Sequence, residues 1–254
     1  MATQQLVYEN VAPVNSVRHK GWSVEVGSDY SFAKKVNSMP LMAVEIPFAA
    51  ADYAVVFAGN EQAVMPAVIL GVRSNDNLFI KADGSWDARY VPAFARRYPF
   101  VFSSSDDGGT FTLCIDEAFS GFNQAGKGAP LFEEEGKASP YVQNVLNFLQ
   151  EYQSQFLRTQ SFCKTIQESG LLEPMQAQIT TPGGEKLSLS GFMAVNRDKL
   201  KALSPEKLAI LAKTDELELI YLHVNSMRNF QGMIDRLGKT ESAGGKAASE
   251  SAPA

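Results

Sequence analysis

Two adjacent arginines, Arg96 and Arg97, stand inside a run of aromatics and prolines, WDARYVPAFARRYPF, from Trp86 to Phe100. A guanidinium is a planar fork. It binds a carboxylate or phosphate at two points and lies flat on an aromatic ring. Three uses of the pair compete. In the first, the arginines pair internally with Glu45, Asp87 or Asp116 and stack on Tyr90, Tyr98 or Phe100. Neighbours on an extended segment face opposite ways, so one of the two should point inward. In the second, they hold an anionic ligand such as a peptide end, a phosphate or an acidic metabolite, with Trp86, Tyr90 and Tyr98 as apolar walls. In the third, they mark a protein-binding surface, because Trp, Tyr and Arg dominate interface energetics. Pro92 and Pro99 favour the last two uses, since fixed φ angles leave little entropy to lose on binding. Trp86, Tyr90, Arg96, Arg97, Tyr98 and Phe100 are therefore the expected ligand- or partner-binding set.

Other reactive constellations are thin. An enzyme that orients an anionic substrate on Arg96 or Arg97 needs a proton carrier, for which Asp116, Glu117 and His223 are the weaker candidates. The bland reading of His223, beside Tyr221 in an amphipathic stretch, is a histidine hydrogen-bonded at the edge of the core. The chain has two histidines, His19 and His223, and lacks HExxH and cysteine pairs at zinc spacing, so neither a metal nor a cofactor is expected. Acidic runs such as Glu133-Glu134-Glu135 read as solvated faces. GFNQAGKG, Gly121 to Gly128, approaches the phosphate-loop pattern. Gly128 replaces the hydroxyl residue, however, and Ala129-Pro130 follows where a helix should begin. Ser-x-x-Lys occurs three times without the companion elements of a serine acylase, and the GxSxG elbow is absent. Cys114, in FTLCI, reads as a small buried hydrophobe.

The bulk composition narrows the classes further. The 254 residues are 45% hydrophobic, enough to build a sizeable core, and the formal net charge of -5 gives no general attraction for nucleic acid. Cys114 and Cys163 are two cysteines only, expected as reduced thiols rather than a disulfide framework. The apolar stretch LMAVEIPFAAADYAVVFAG is broken by Glu45, Pro47 and Asp52, so no membrane span is expected. The first residues lack a basic segment followed by an apolar one, which makes the cytoplasm the expected location. Residues 238–254, rich in Gly, Ala and Ser, are expected to be a disordered tail.

The elements that must position these groups follow from pattern. DYAVVF and AVILGV read as strands, NLFIKADGSW as a strand entering a turn at Asp83-Gly84, and FVFSSSDDGGTFTLCI as a hairpin around Asp107-Gly108-Gly109. Ser139-Pro140 then opens a helix whose Val142, Val145, Leu149, Tyr152 and Phe156 share one stripe, ending near Gly170. MQAQITTPGGEKLSLSGFMAV reads as two strands around Pro182-Gly183-Gly184. Ser204-Pro205 opens a short helix. ELELIYLHVNSMRNFQGMIDRL reads as a final helix with Ile220, Val224, Met227 and Ile234 on one side, although LELIYLHV also alternates like a strand. The expectation is α+β: a strand-rich N-terminal half with antiparallel sheet and hairpins, and a helix-rich C-terminal half. Residues 1–237 form one domain, with a possible sub-boundary at 126–139.

Three segments together resemble the bacterial SapC family: PLMAVEIPFAAADYAVVF; LGVRSNDNLFIKADGSWDARYVPAFARRYPF with LCIDEAFSGF and GAPLF; and LSGFMAVNRDKLKALSPEKLAILAKTDELELIYLHVNSM. The resemblance covers roughly Val7 to Leu237. It carries no reaction and no catalytic residues. Its name implies a surface-layer association. Its members tend to be encoded beside flavin-dependent halogenase-like proteins, cupin-like oxygenases and TonB-dependent receptors, which implies an accessory role with such a protein as partner. The expected function is non-catalytic: a binding or accessory protein for a peptide-like or anionic metabolite ligand, or for a protein partner. The alternatives are an enzyme acting on an arginine-oriented anion and a surface-layer structural protein.

Overall fold

The computed structural model describes residues 6–60, 63–105, 109–181 and 183–238. The strands β4 (Val55–Gly59) and β5 (Val64–Ile69) are buried along most of their length, as near-continuous apolar runs require. They form the centre of a five-stranded antiparallel sheet. Strand β3 (Ser38–Pro40) pairs with β5 on one side. On the other side β4 meets the long hairpin of β10 (Leu172–Thr180) and β11 (Lys186–Val195), through the single register pair Met193–Phe57. A bulge between Met175 and Ala177 and a positive φ of 85° at Gly191 bend this hairpin midway.

A second antiparallel sheet joins β1 (Val11–Pro13), β7 (Phe111–Asp116) and β6 (Phe100–Ser104). A third, small one joins β8 (Phe122–Asn123), β2 (Ser23–Val24) and β9 (Ala129–Pro130). Residues 126–139 thus include a paired strand, and they also bury Leu131. The one-turn helices α1 (Ile46–Ala49) and α2 (Ala93–Arg96) lie in the N-terminal half. The longer helices follow: α3 (Pro140–Glu168), the short α4 (Arg197–Lys201), α5 (Pro205–Lys213) and α6 (Glu216–Ser226). This is the expected α+β arrangement.

Helix α3 organises the interior. Ser139 Oγ accepts a hydrogen bond from Val142 N, and Pro140 occupies the first turn, where its missing N–H costs nothing. The helix spans 29 residues, about 44 Å, and ends before Gly170 at φ 67°. Val142 and Leu149 enter a cluster with Val24, Phe100, Ile115 and Leu131, while Phe162, Cys163 and Ile166 enter the larger core around β4 and β5. Between them Thr159 Oγ1 accepts from Ala43 N at 2.8 Å, tying the helix to the segment before α1.

Three local expectations need correction or placement. NLFIKADGSW is not a strand: only an Ile80–Trp86 bridge forms. Asn77 accounts for this. Its side chain accepts from Phe79 N and donates to Ala33 O, so the backbone bonds locally instead of joining a ladder. LELIYLHV is helical, because Ile220, His223 and Ser226 recur on one buried face. The final helix is interrupted at 227–228 and resumes over 229–238. There Asn229 donates to Ala50 O and Tyr53 O, and Ser226 Oγ accepts from Val55 N. Asp107, Gly108, Pro182 and the expected tail beyond residue 238 lie outside the described residues.

Candidate ligand-binding site

Pro92, extended at ψ 140°, leads into the single turn α2, and Arg97 N bonds back to Ala93 O at 3.0 Å. Arg96 and Arg97 are thus split by helical rotation, about 100° per residue, rather than by the alternation of an extended segment. Arg97 is 4% exposed, and Arg96 lies at the surface.

The carboxylates proposed as internal partners are engaged elsewhere. Buried Glu45 accepts from Tyr90 Oη at 2.7 Å, from Ala93 N at 2.7 Å and from Met42 N at 2.8 Å, pinning the start of α2. Asp87 takes Arg236 and Lys81. The Arg236 contact is the main reason its carboxyl is held below the usual range. Asp116, fully buried, accepts from the backbone N–H groups of Glu9, Asn10 and Ala118 and from Tyr98 Oη at 3.2 Å.

Arg97 is bedded on rings instead. Its guanidinium carbon lies 4.2 Å from the Phe94 ring centre, 4.9 Å from Tyr152 and 5.8 Å from Tyr8. Each contact is a cation–π geometry that burial strengthens. Arg97 also hydrogen-bonds the Tyr8 hydroxyl, which donates to Phe100 O at 2.8 Å. Burial pushes that hydroxyl up to about 12, with the guanidinium working against the rise. Beside these rings lies a cavity of about 450 Å³, lined chiefly by Met39, Met42, Met65, Phe94, Tyr152 and Phe156. Arg97 is the one charged side chain among the described residues lining it. Such a volume suits a small organic ligand.

The remaining expected residues divide. Trp86 is buried and donates Nε1–H to Tyr53 Oη at 2.6 Å, and Tyr53 in turn donates to Tyr90 O. Tyr98 stacks on Phe32 with ring centres 4.1 Å apart. Phe100 packs in the smaller cluster with Phe122 and Tyr141. Tyr90 and Arg96 form an outer group. Arg96 donates to Val91 O at 3.0 Å and to Tyr90 Oη at 3.2 Å, and its guanidinium lies over both Tyr90 and Phe148. Phe48, 62% exposed, stacks on the same Tyr90 ring.

The three proton-transfer candidates are not gathered with the arginines. His223 is sealed in the core rather than at its edge. Its Nε2 accepts from Val195 N at 3.0 Å, so Nδ1 carries the proton and donates to Val55 O at 2.8 Å. Burial lowers its pKa to about 4. Glu117 accepts from Arg18 and from His19 Nε2, the latter at 2.9 Å, while His19 Nδ1 accepts from Asn15 N. Among the described residues no group of three or more His, Cys, Asp or Glu could hold a metal ion. No helix there is long and apolar enough to cross a membrane.

A larger groove of about 1250 Å³ adjoins the cavity, between α3, the bent β10–β11 hairpin and the ends of β4 and β5. Gly59, Ala63, Met65 and Gln160 line both. Gly59 is required there: at φ 134° a Cβ would fall 2.0 Å from Ala63 O. Cys163 lines the groove, but burial pushes its thiol up to about 12, so it is neutral and a poor nucleophile.

Residues 14–233 match the model of a protein family described as SapC. The chain belongs to the SapC family. No curated protein and no solved structure matches it. Family membership supplies no site, so the cavity in this SapC-family chain stands on its geometry alone. Sequence reasoning placed Tyr152 and Phe156 on the buried stripe of α3, which is how the cavity wall was legible. Met39, Met42 and Phe48 lie within one ten-residue segment, Met65 and Tyr8 lie elsewhere, and none of them shares a sequence signal with the arginine segment.

Proposed function

We infer that this SapC-family protein is a non-catalytic binding protein that takes an anionic ligand with an apolar body, the anion held by Arg97. The observation that carries this reading is a buried guanidinium in the wall of a cavity of about 450 Å³ lined by methionines and aromatic rings. A guanidinium carries five N–H donors in a fixed fork, so it can add an anion to the partners it already has. The enzyme alternative lacks support from proximity: Asp116, Glu117 and His223 are bound into other networks, and none lines the cavity. The test is thermal unfolding with decanoate and with decanol. Decanoate should raise Tm with concentration and decanol should not. Arg97→Met, which keeps a stem between Phe94 and Tyr152, should abolish the difference. Equal stabilisation by acid and alcohol in the parent protein would remove the role given to the guanidinium.

A second reading rests on a separate observation. The group of exposed Phe48 and Arg96 with half-buried Tyr90 and Phe148 has the composition of an interface hot spot. On this reading an accessory protein meets its partner through Arg96 while Arg97 serves the cavity. Arg96→Ala would then weaken partner capture and leave the decanoate response unchanged.

A further inference from the structure

The five-stranded sheet has two edges, and they are unlike. At one edge β3 is three residues long and ends at Pro40, which has no N–H to donate. At the other β10 is nine residues long. Among the described residues β11 is its one strand neighbour and the one element it contacts extensively. A long open edge is a template for pairing with another strand, and folded proteins blunt such edges with charge, proline or a bulge.

The first half of β10 is blunted in this way and the second half is not. Glu173, Pro174 and the bulge between Met175 and Ala177 fall in the first half. Glu173 is the one charged residue of β10, and Asn196 and Lys199 already engage it. Residues 176–180 carry neither charge nor proline. They alternate cleanly: Gln176, Gln178 and Thr180 are exposed, while Ala177 and Ile179 pack against the main core. Burial of Ile179 fixes which face is which, so an added strand meets one defined register.

This segment is complementary to itself. Laid antiparallel against a second copy about Gln178, it sets Ala177 opposite Ile179, Gln176 opposite Thr180, and Gln178 opposite its own counterpart. Directly opposed residues point to the same face, so the apolar pairs stay on the core side and the amides and hydroxyls stay in water. Two glutamine amides can donate to and accept from each other. A foreign strand would have to bring a matching free edge, whereas a second copy brings it by symmetry. Because β3 is blunt, joining at β10 closes after two chains instead of propagating.

We propose that this chain forms a two-fold dimer through residues 176–180 of β10, joining two five-stranded sheets into one continuous sheet. The contact is small for a permanent dimer, so it depends on concentration. None of these residues lines the cavity at Arg97, so the dimer and the ligand reading stand or fall separately.

Sedimentation velocity is run on the full chain from low micromolar to several hundred micromolar concentration. The parent should pass from one to two chains per particle over that range. Gln178→Lys, at an exposed position, sets two like charges opposite each other and should leave monomer with an unchanged Tm. Gln178→Glu should do the same. An equimolar mixture of these two variants should dimerise at least tenfold more tightly than either alone, because lysine then faces glutamate across the axis. Gln178→Cys should form an interchain disulfide under mild oxidation, while Gln143→Cys, exposed on α3, should not. A parent that stays monomeric throughout overturns the proposal, and so does a Gln178→Lys protein that dimerises like the parent. A mixture no tighter than its components, or equal crosslinking at the two cysteine positions, places any contact elsewhere and overturns it too.

Discussion

Arg97 and His223 are both sealed from solvent, yet the molecule uses them in opposite ways. Each nitrogen of His223 meets a backbone group: Nδ1–H reaches Val55 O on β4, and Nε2 receives Val195 N on β11. These strands share one register pair, so the imidazole is a lateral bolt where the ladder itself is thin. Arg97 presses a full charge against Phe94, Tyr152 and Tyr8 and faces a cavity. One site is closed by its own main chain. The other has its apolar bed in place and space beside the cation. Burial alone therefore does not distinguish structure from function; what each polar atom faces does.

The comparison breaks most readily at His223. His223→Ala should destabilise the fold by about 3 kcal/mol, because Val55 O and Val195 N lose their partner in the core. Urea unfolding measures this directly, and a loss below 1 kcal/mol would deny the bolt. A smaller effect comes with pH. Folded His223 stays neutral down to about 4, whereas in the unfolded chain it protonates near its ordinary 6.5. Its contribution is complete above 6.5 and declines as pH falls from there towards 4, because only the unfolded state takes up the proton. Between pH 7.5 and 5 the parent should lose about 2 kcal/mol more than His223→Gln. A parallel decline in the two proteins would place the titration elsewhere.

Arg97→Met sharpens the other side. It should change stability by about 1 kcal/mol in either direction, since it removes a buried charge together with its cation–π contacts. It should still abolish the decanoate response. A variant that loses stability as severely as His223→Ala would make Arg97 structural in the same sense as the histidine. Arg96→Ala should have the smallest effect, under about 0.5 kcal/mol on folding, because its hydrogen bonds and ring contacts are at the surface.

Legibility from sequence followed how local the cause was. Ser139-Pro140 and Ser204-Pro205 announced α3 and α5, since a cap and a proline act within one turn. The strands β4, β5, β10 and β11 were visible as apolar or alternating runs. NLFIKADGSW failed as a strand because Asn77 supplies a competing partner across to Ala33, a contact no window of sequence contains. The arginine pair was found by composition. The pairing of those arginines with Glu45, Asp87 and Asp116 was not correct, because each carboxylate meets donors set by tertiary packing. Trp86, Tyr98 and Phe100 share a segment with Arg97 but not its surroundings. Their rings turn to the interior at Tyr53, Phe32 and Phe122, which adjacency in the chain does not reveal.

Helix α3 is anchored at its N-terminal end by Val142 and Leu149 in one cluster and at its C-terminal end by Phe162 and Ile166 in the other, with Tyr152 and Phe156 at the cavity between. Close-packed interiors yield by discrete shifts rather than by smooth give. Whatever displaces Tyr152 therefore levers a beam clamped at both ends, and news of an occupied cavity arrives in two hydrophobic clusters at once.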